Sequence, residues 1–147
     1  VFSSVETMLQ AKIIQVSAVI VTDFSQAPVV QYPPVYLESI LLNLVSNALK
    51  YCDPGKECHI ELKTKVENGQ IMLTCADNGL GIDLERYKHQ IFKMRKVFHP
   101  NPESRGIGLF LIKNQIETMG GEINVQSEPG IGSTFTVIFN KFVVDHE

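Results

Sequence analysis

The 147-residue sequence contains no apolar run approaching the ~20 residues that cross a bilayer. Its opening, "VFSSVETMLQ", lacks the basic start and apolar block of a signal peptide, so nothing in it directs the chain out of the cell. Positive charge is not in surplus. A formal net charge of -3 argues against a general nucleic-acid binder. Cysteine is scarce: Cys52, Cys58 and Cys75 are an odd number without repeated spacing, and read as buried or idle thiols suited to a reducing cytoplasm. Cys58 and His59 are adjacent, but without a second ligand pair nearby they make a poor zinc site. Internal repeats and low-complexity segments are absent.

What is present suits one globular domain with a real core. Hydrophobic residues make up 44% and charged residues 20%, ordinary proportions for such a chain. "FSSVETMLQAKIIQ" has apolar residues three or four apart and a Ser3–Glu6 capping-box spacing, which predicts one amphipathic helix. "AVIVTDF" and "PVVQYP" predict two short strands, and Pro33–Pro34 open a long helix over residues 35–51. On that helix Leu41, Leu44, Val45 and Ala48 form the core face. "HIELKTKVENGQIMLTCAD" alternates on both sides of Asn68-Gly69, a strong hairpin signal. "DLERYKHQIF" is helical. "GIGLFLIKNQIETMGG" predicts a helix with Leu109, Ile112, Ile116 and Met119 on its core face. The strands "EINVQS" and "STFTVIF" finish the chain. Six strands and about four helices predict an α+β fold, a two-layer α/β sandwich with one sheet covered on one face by helices.

Three stretches invite chemistry. In "LESILLNLVSNALKY", Asn43, Asn47 and Lys50 fall within a narrow arc, with Tyr51 at its flank. Asparagine is a weak helix former, so two of them are either simply solvated or retained for an amide oxygen that can ligate a hard cation such as Mg²⁺. In "CADNGLGID", Asp77 follows an apolar strand. It is either a local turn cap or a carboxylate placed to accept from an exocyclic amine, with Gly79 and Gly81 letting the backbone approach a flat ring. In "SRGIGLFLIK", Gly106 and Gly108 open a helix whose free N–H groups favour an anion. That pair has neither dinucleotide-fingerprint nor P-loop spacing.

The order of these stretches resembles the catalytic and ATP-binding domain of bacterial two-component sensor histidine kinases, in the superfamily shared with gyrase and heat-shock chaperone ATPases. "NLVSNALKY" is similar to the family's N box, "DNGLGI" to its first glycine box and "IFKMRKVF" to its F box. "RGIGLFLIK" is similar to the second glycine box and "GIGSTFTVIF" to the final glycine-threonine segment. The likeness runs from about residue 16 to 139. It implies a Bergerat-type fold with a mixed, mostly antiparallel sheet. It also implies that Asp77 binds the adenine amine, with Gly79, Gly81 and Ile82 shaping the pocket. Asn47 would ligate Mg²⁺ with Asn43 in support, Lys50 would reach a phosphate, and Tyr51 would pack beside the base. Arg105, Gly106, Gly108 and Leu109 would cradle phosphates, Thr134 would bond near the base, and residues 92–105 would form a lid. Arg95, Lys96 and Arg105 are the cations available to the γ-phosphate.

The ATPase branches of that superfamily carry a glutamate one turn before the metal asparagine. Here Asn43 stands there and cannot act as a base at neutral pH, while Glu38 lies nine residues before Asn47. The resemblance therefore implies ATP held for transfer to a protein histidine rather than hydrolysed. Arg105 replaces a glycine of many relatives, Phe110 replaces a further one, and "HPNPESRG" is a short lid segment. His59, His89, His99 and His146 all lack the phospho-acceptor context. The acceptor is expected on a separate dimerisation domain, with residues 1–15 continuing from it and a response regulator downstream. The expected module is a monomeric, cytoplasmic domain, either of a soluble protein or of the cytoplasmic part of a membrane-anchored sensor. The competing readings are a nucleotide-sensing pseudokinase and an anti-sigma-factor-type serine kinase.

Overall fold

The computed structural model describes residues 1–87, 92 and 108–139. Residues 93–105 of the expected lid, Arg105, Gly106, and the histidines at 89, 99 and 146 lie outside the described residues. Among the described residues the elements run α1 (Phe2–Met8), α2 (Gln10–Gln15), β1 (Val19–Asp23), α3 (Pro34–Lys50), β2 (His59–Glu67) and β3 (Gln70–Asp77), then α4 (Leu84–Tyr87), α5 (Gly108–Thr118), β4 (Glu122–Glu128) and β5 (Gly132–Ile138). Five strands form one sheet in the order β1-β2-β3-β5-β4. β1 lies parallel to β2, and the other pairings are antiparallel. This is the mixed, mostly antiparallel sheet that the resemblance implies, with five strands where the sequence pattern suggested six.

The core lies on one face of the sheet. Alternation along β2, β3 and β5 turns Ile60, Leu62, Leu73, Cys75, Phe135 and Val137 inward, all at most 3% exposed. His59, Glu61 and Lys63 alternate to the outside. The helix layer supplies Ile40, Leu41, Leu44, Val45, Ala48 and Leu49 from α3, and Ile112 and Ile116 from α5. The β2–β3 turn has positive φ at both central residues, 51° at Asn68 and 75° at Gly69, the conformation that an Asn-Gly hairpin selects.

Several expectations need correction. Residues 28–33 form no strand: Pro28, Pro33 and Pro34 offer no backbone N–H for a ladder, and Val29 is 79% exposed. The segment instead packs Tyr32 edge-to-face on Phe139 with ring centroids 5.0 Å apart. Just before it, Ala27 N–H donates to Thr64 Oγ1, and Gln26 Oε1 accepts from Val66 N–H. The first helix is two, broken at Leu9 (φ -101°, ψ 7°). Its Ser3 is not a cap, because α1 begins at Phe2; the Ser3 carbonyl accepts from the Thr7 hydroxyl at 3.0 Å. Met119 falls beyond the end of α5 and is 37% exposed rather than core. Cys52 and Cys58 are not idle thiols but a disulfide, with Cα atoms 5.6 Å apart. Sequence spacing did not show that the end of α3 and the start of β2 converge. A disulfide is not the free-thiol state that a reducing compartment maintains. No helix of the described residues is long and apolar enough to cross a membrane.

Leu44 is 1% exposed at the centre of the α3–sheet contact. Leu44→Ala is expected to lower stability by about 2–5 kcal/mol in urea unfolding. Val35→Ala on the same helix, at a position 76% exposed, should change it by no more than ~0.5 kcal/mol.

Candidate functional site

β3 delivers Asp77 to the end of an inner strand. In the β3–β5 register Asp77 stands opposite Ser133, and its Oδ1 accepts from the Ser133 N–H at 3.3 Å and the Gly79 N–H at 2.9 Å. Two amides thus fix the carboxylate's orientation. Burial pushes its pKa above the usual 3.8, opposed by those same two hydrogen bonds. The turn after it is anchored on both sides. Leu80 N–H donates to the Tyr51 carbonyl at 2.9 Å, and the Leu80 carbonyl accepts from Gly130 N–H at 2.8 Å. Ile82 N–H donates to Ser127 Oγ at 2.7 Å, and Ser127 in turn bonds the Ser133 hydroxyl at 2.6 Å.

Gly79 and Gly81 also make close contacts within the protein itself. A Cβ on Gly79 would lie 2.4 Å from the Tyr51 carbonyl oxygen, and one on Gly81 (φ 74°) 2.1 Å from that of Glu128. Their Cβ sides face the protein's own backbone, not an open ring-shaped space. The turn is glycine-rich because three chain segments meet there with no room for a side chain.

α3 brings Asn43, Asn47, Lys50 and Tyr51 to the same end, each partly buried. Asn43 Nδ2 donates to the Ser39 carbonyl one turn back at 2.7 Å. A Cβ on Gly108, the first residue of α5, would come within 2.5 Å of Asn43 Oδ1. The structure therefore joins the asparagine helix to the glycine-led helix, and Leu109 follows partly buried. Thr134 is placed elsewhere. It pairs with Ala76, one step out of phase with Asp77, so alternation turns it toward the outer face while Ser133 takes the place beside the carboxylate. Sequence reasoning missed Ser133, Ser127 and Asn78. A period-2 count back from Phe135 and Val137 would have found Ser133.

Chemically, this end of the sandwich offers an oriented acceptor-only carboxylate, amide oxygens suited to a hard cation, and a helix N-terminus suited to an anion. A family model described as "Histidine kinase-, DNA gyrase B-, and HSP90-like ATPase" matches residues 33–142. Sensor histidine kinase RcsC of Escherichia coli is 35% identical over 107 residues, covering 71% of this chain and 11% of RcsC. The chain thus spans about a tenth of that relative's length. Among solved structures, the catalytic domain of histidine kinase ThkA superposes with a TM-score of 0.77 at 20% identity, covering 95% of this chain and 89% of ThkA's. Full-length ShkA in complex with AMPPNP gives 0.76 at 22% identity, covering 92% of this chain and 28% of its own. At such identities these two likenesses concern the fold.

Between pH 3.8 and its raised pKa, Asp77 holds a proton in the folded chain that the unfolded chain has released. Its contribution to stability therefore falls as pH rises through that window. Asp77→Asn keeps an oxygen acceptor for both amides and removes the titration. Its Tm relative to wild type should rise across the window and then level off in scans against pH. Gly81→Ala, by contrast, is expected to lose at least ~1–3 kcal/mol from backbone strain alone, read by urea unfolding.

Proposed function

The chain belongs to the histidine kinase-, DNA gyrase B- and HSP90-like ATPase family, and from that premise we propose that it is the ATP-binding catalytic domain of a sensor histidine kinase. It donates the γ-phosphate of ATP to a histidine on a separate dimerisation domain of the same protein. A response regulator then takes the phosphoryl group. The observation that carries the reading is Asp77, a partly buried carboxylate held by two amides at the end of β3, beside a turn with no room for side chains.

In this reading Asp77 accepts from the adenine amine, and Gly79, Gly81 and Ile82 form the wall behind the base. Tyr51 flanks it. Ser133 holds the carboxylate in place and takes over the part expected of Thr134. Asn47, supported by Asn43, supplies amide oxygen to Mg²⁺, which neutralises phosphate charge when bound. Lys50 serves the phosphates from the last turn of α3. Arg105, Gly106, Gly108 and the Leu109 N–H cradle them at the start of α5. Asn43 stands where a water-activating base would be needed, and its amide is committed to Ser39. The site therefore aligns ATP for transfer and hydrolyses it poorly. Residues 1–147 act as one module, and α1 packs on α3 with Val5 in the core. We place the module in the cytoplasm, where ATP and the regulator are available.

Titration calorimetry with ATP, with and without Mg²⁺, tests the reading. Wild type should bind, and Asp77→Asn should lose ~1–3 kcal/mol, about 5- to 150-fold in affinity, because it presents a donor where the amine needs an acceptor. Asn47→Ala should weaken Mg²⁺-dependent binding while sparing Mg²⁺-free nucleotide. Normal ATP binding by Asp77→Asn would refute the pocket assignment.

A further inference from the structure

The Cys52–Cys58 disulfide stands between the two halves of the frame that holds the turn after Asp77. On one side, Cys52 follows Tyr51, whose carbonyl accepts the Leu80 N–H at 2.9 Å. On the other, Cys58 lies between Glu57 and His59, which clasp Asn78. Asn78 Nδ2 donates to the Glu57 carbonyl at 2.8 Å, His59 N–H donates to Asn78 Oδ1 at 2.9 Å, and Asn78 N–H donates to the His59 carbonyl at 3.3 Å. Residues 78 and 80 are thus gripped by segments on either side of the two cysteines, and the S–S bond joins those segments. The loop between them is tied to the same frame: the Lys56 ammonium donates to the Gly130 carbonyl, and Gly130 N–H donates to Leu80.

We propose that Cys52–Cys58 is a reversible thiol–disulfide site that sets the affinity for ATP by tightening or releasing the frame around residues 77–81. This rests on the nucleotide reading of Asp77. The two sulfurs differ in access, since Cys52 is partly exposed and Cys58 only 5% exposed. A low-molecular-weight thiolate therefore attacks Cys52 Sγ and expels the Cys58 thiolate, leaving a mixed disulfide on Cys52. A second thiolate attacks the small-molecule sulfur, releasing the Cys52 thiolate and a small-molecule disulfide. Two electrons pass to the protein bond, and each released thiolate takes up a proton. Cys75 stays out of this chemistry: it is 1% exposed, and burial pushes its thiol up to about 12. With the bond intact, residue 51 and residues 57–59 keep a fixed separation. Once it opens, the loop 53–57, exposed from residue 54 to 57, no longer enforces it, and Asp77, directly before the clasped Asn78, loses its fixed orientation.

The test titrates ATP into the chain in its disulfide form, after dithiothreitol, and into C52S/C58S. Hydrogen exchange at the Asn78 and Leu80 amides and a native alkylation count accompany the titrations. Reduction should expose two alkylatable thiols, weaken ATP binding several-fold and speed exchange at both amides. C52S/C58S should match the reduced wild type and ignore the reductant. Equal affinity and equal exchange in the two redox forms would overturn the switch while leaving the nucleotide site standing. Absence of ATP binding in both folded forms would overturn the nucleotide reading and the proposal with it. A double variant that still responds to dithiothreitol would show that these cysteines are not the site.

Discussion

The constraint on which the rest depends is the backbone-to-backbone meeting of three remote segments at residues 51, 77–81 and 128–132. The space a Cβ would occupy on Gly79, Gly81 or Gly132 is already taken by the carbonyl oxygen of Tyr51, Glu128 or Asp77, at 2.4, 2.1 and 2.0 Å. Such contacts cannot be approximated by a longer side chain repacking. They require α3 to end where it does and the β3–β5 register to be fixed. A slip of β5 by one residue against β3 would turn Ser133 outward and bring Thr134 inward, exchanging the faces of the whole slipped strand. The core supplies that register by burying Leu73, Cys75, Phe135 and Val137 together.

Given that meeting point, the electrostatics follow. A carboxylate at the end of an inner strand loses hydration, and its pKa rises; two amides recover only part of the loss. A neutral residue would suit the fold better. The asparagines of α3 have the same character, weak helix formers inside a helix whose opposite face is packed with leucine, isoleucine and valine. Local preference yields at several positions on one end of the molecule, which is where functional sites concentrate.

Much of this was legible in the sequence because it depends on short-range physics. The Asn68-Gly69 turn, the alternation of β2 and β3, and the apolar face of α3 are set by neighbours within a few residues. The site was legible as composition and order: Asn43, Asn47, Asp77 and the glycines. Its geometry was not. Ser133 earns its place only through register with Asp77, which no local window contains. The partner of Cys52 depends on the path from α3 into β2. The reason for Gly79 and Gly81 lies in carbonyls of residues 51 and 128. Residues 28–33 look like a strand by β-propensity, but prolines deprive them of a ladder. They instead help line a cavity of about 460 Å³ with Phe2, Phe24 and Leu37 at the opposite end of the helix layer.

Under the proposed function, the two helices give one end of the sandwich a polarity that suits a nucleotide and give the other end the reverse. α3 finishes beside the turn after Asp77, while α5 begins against Asn43. The C-terminal dipole of α3 and its asparagine oxygens favour a cation there, whereas the N-terminus of α5 favours an anion. A helix C-terminus and a helix N-terminus about two turns apart along α3, near an acceptor carboxylate, complement a molecule that carries a donor amine, a chain of negative charge and a bound divalent cation. At the far end α3 begins and α5 finishes, so the polarity is reversed, and the walls are aromatic and aliphatic. Under the proposed function, the direction in which the two helices run, as much as any single side chain, decides where ATP is held.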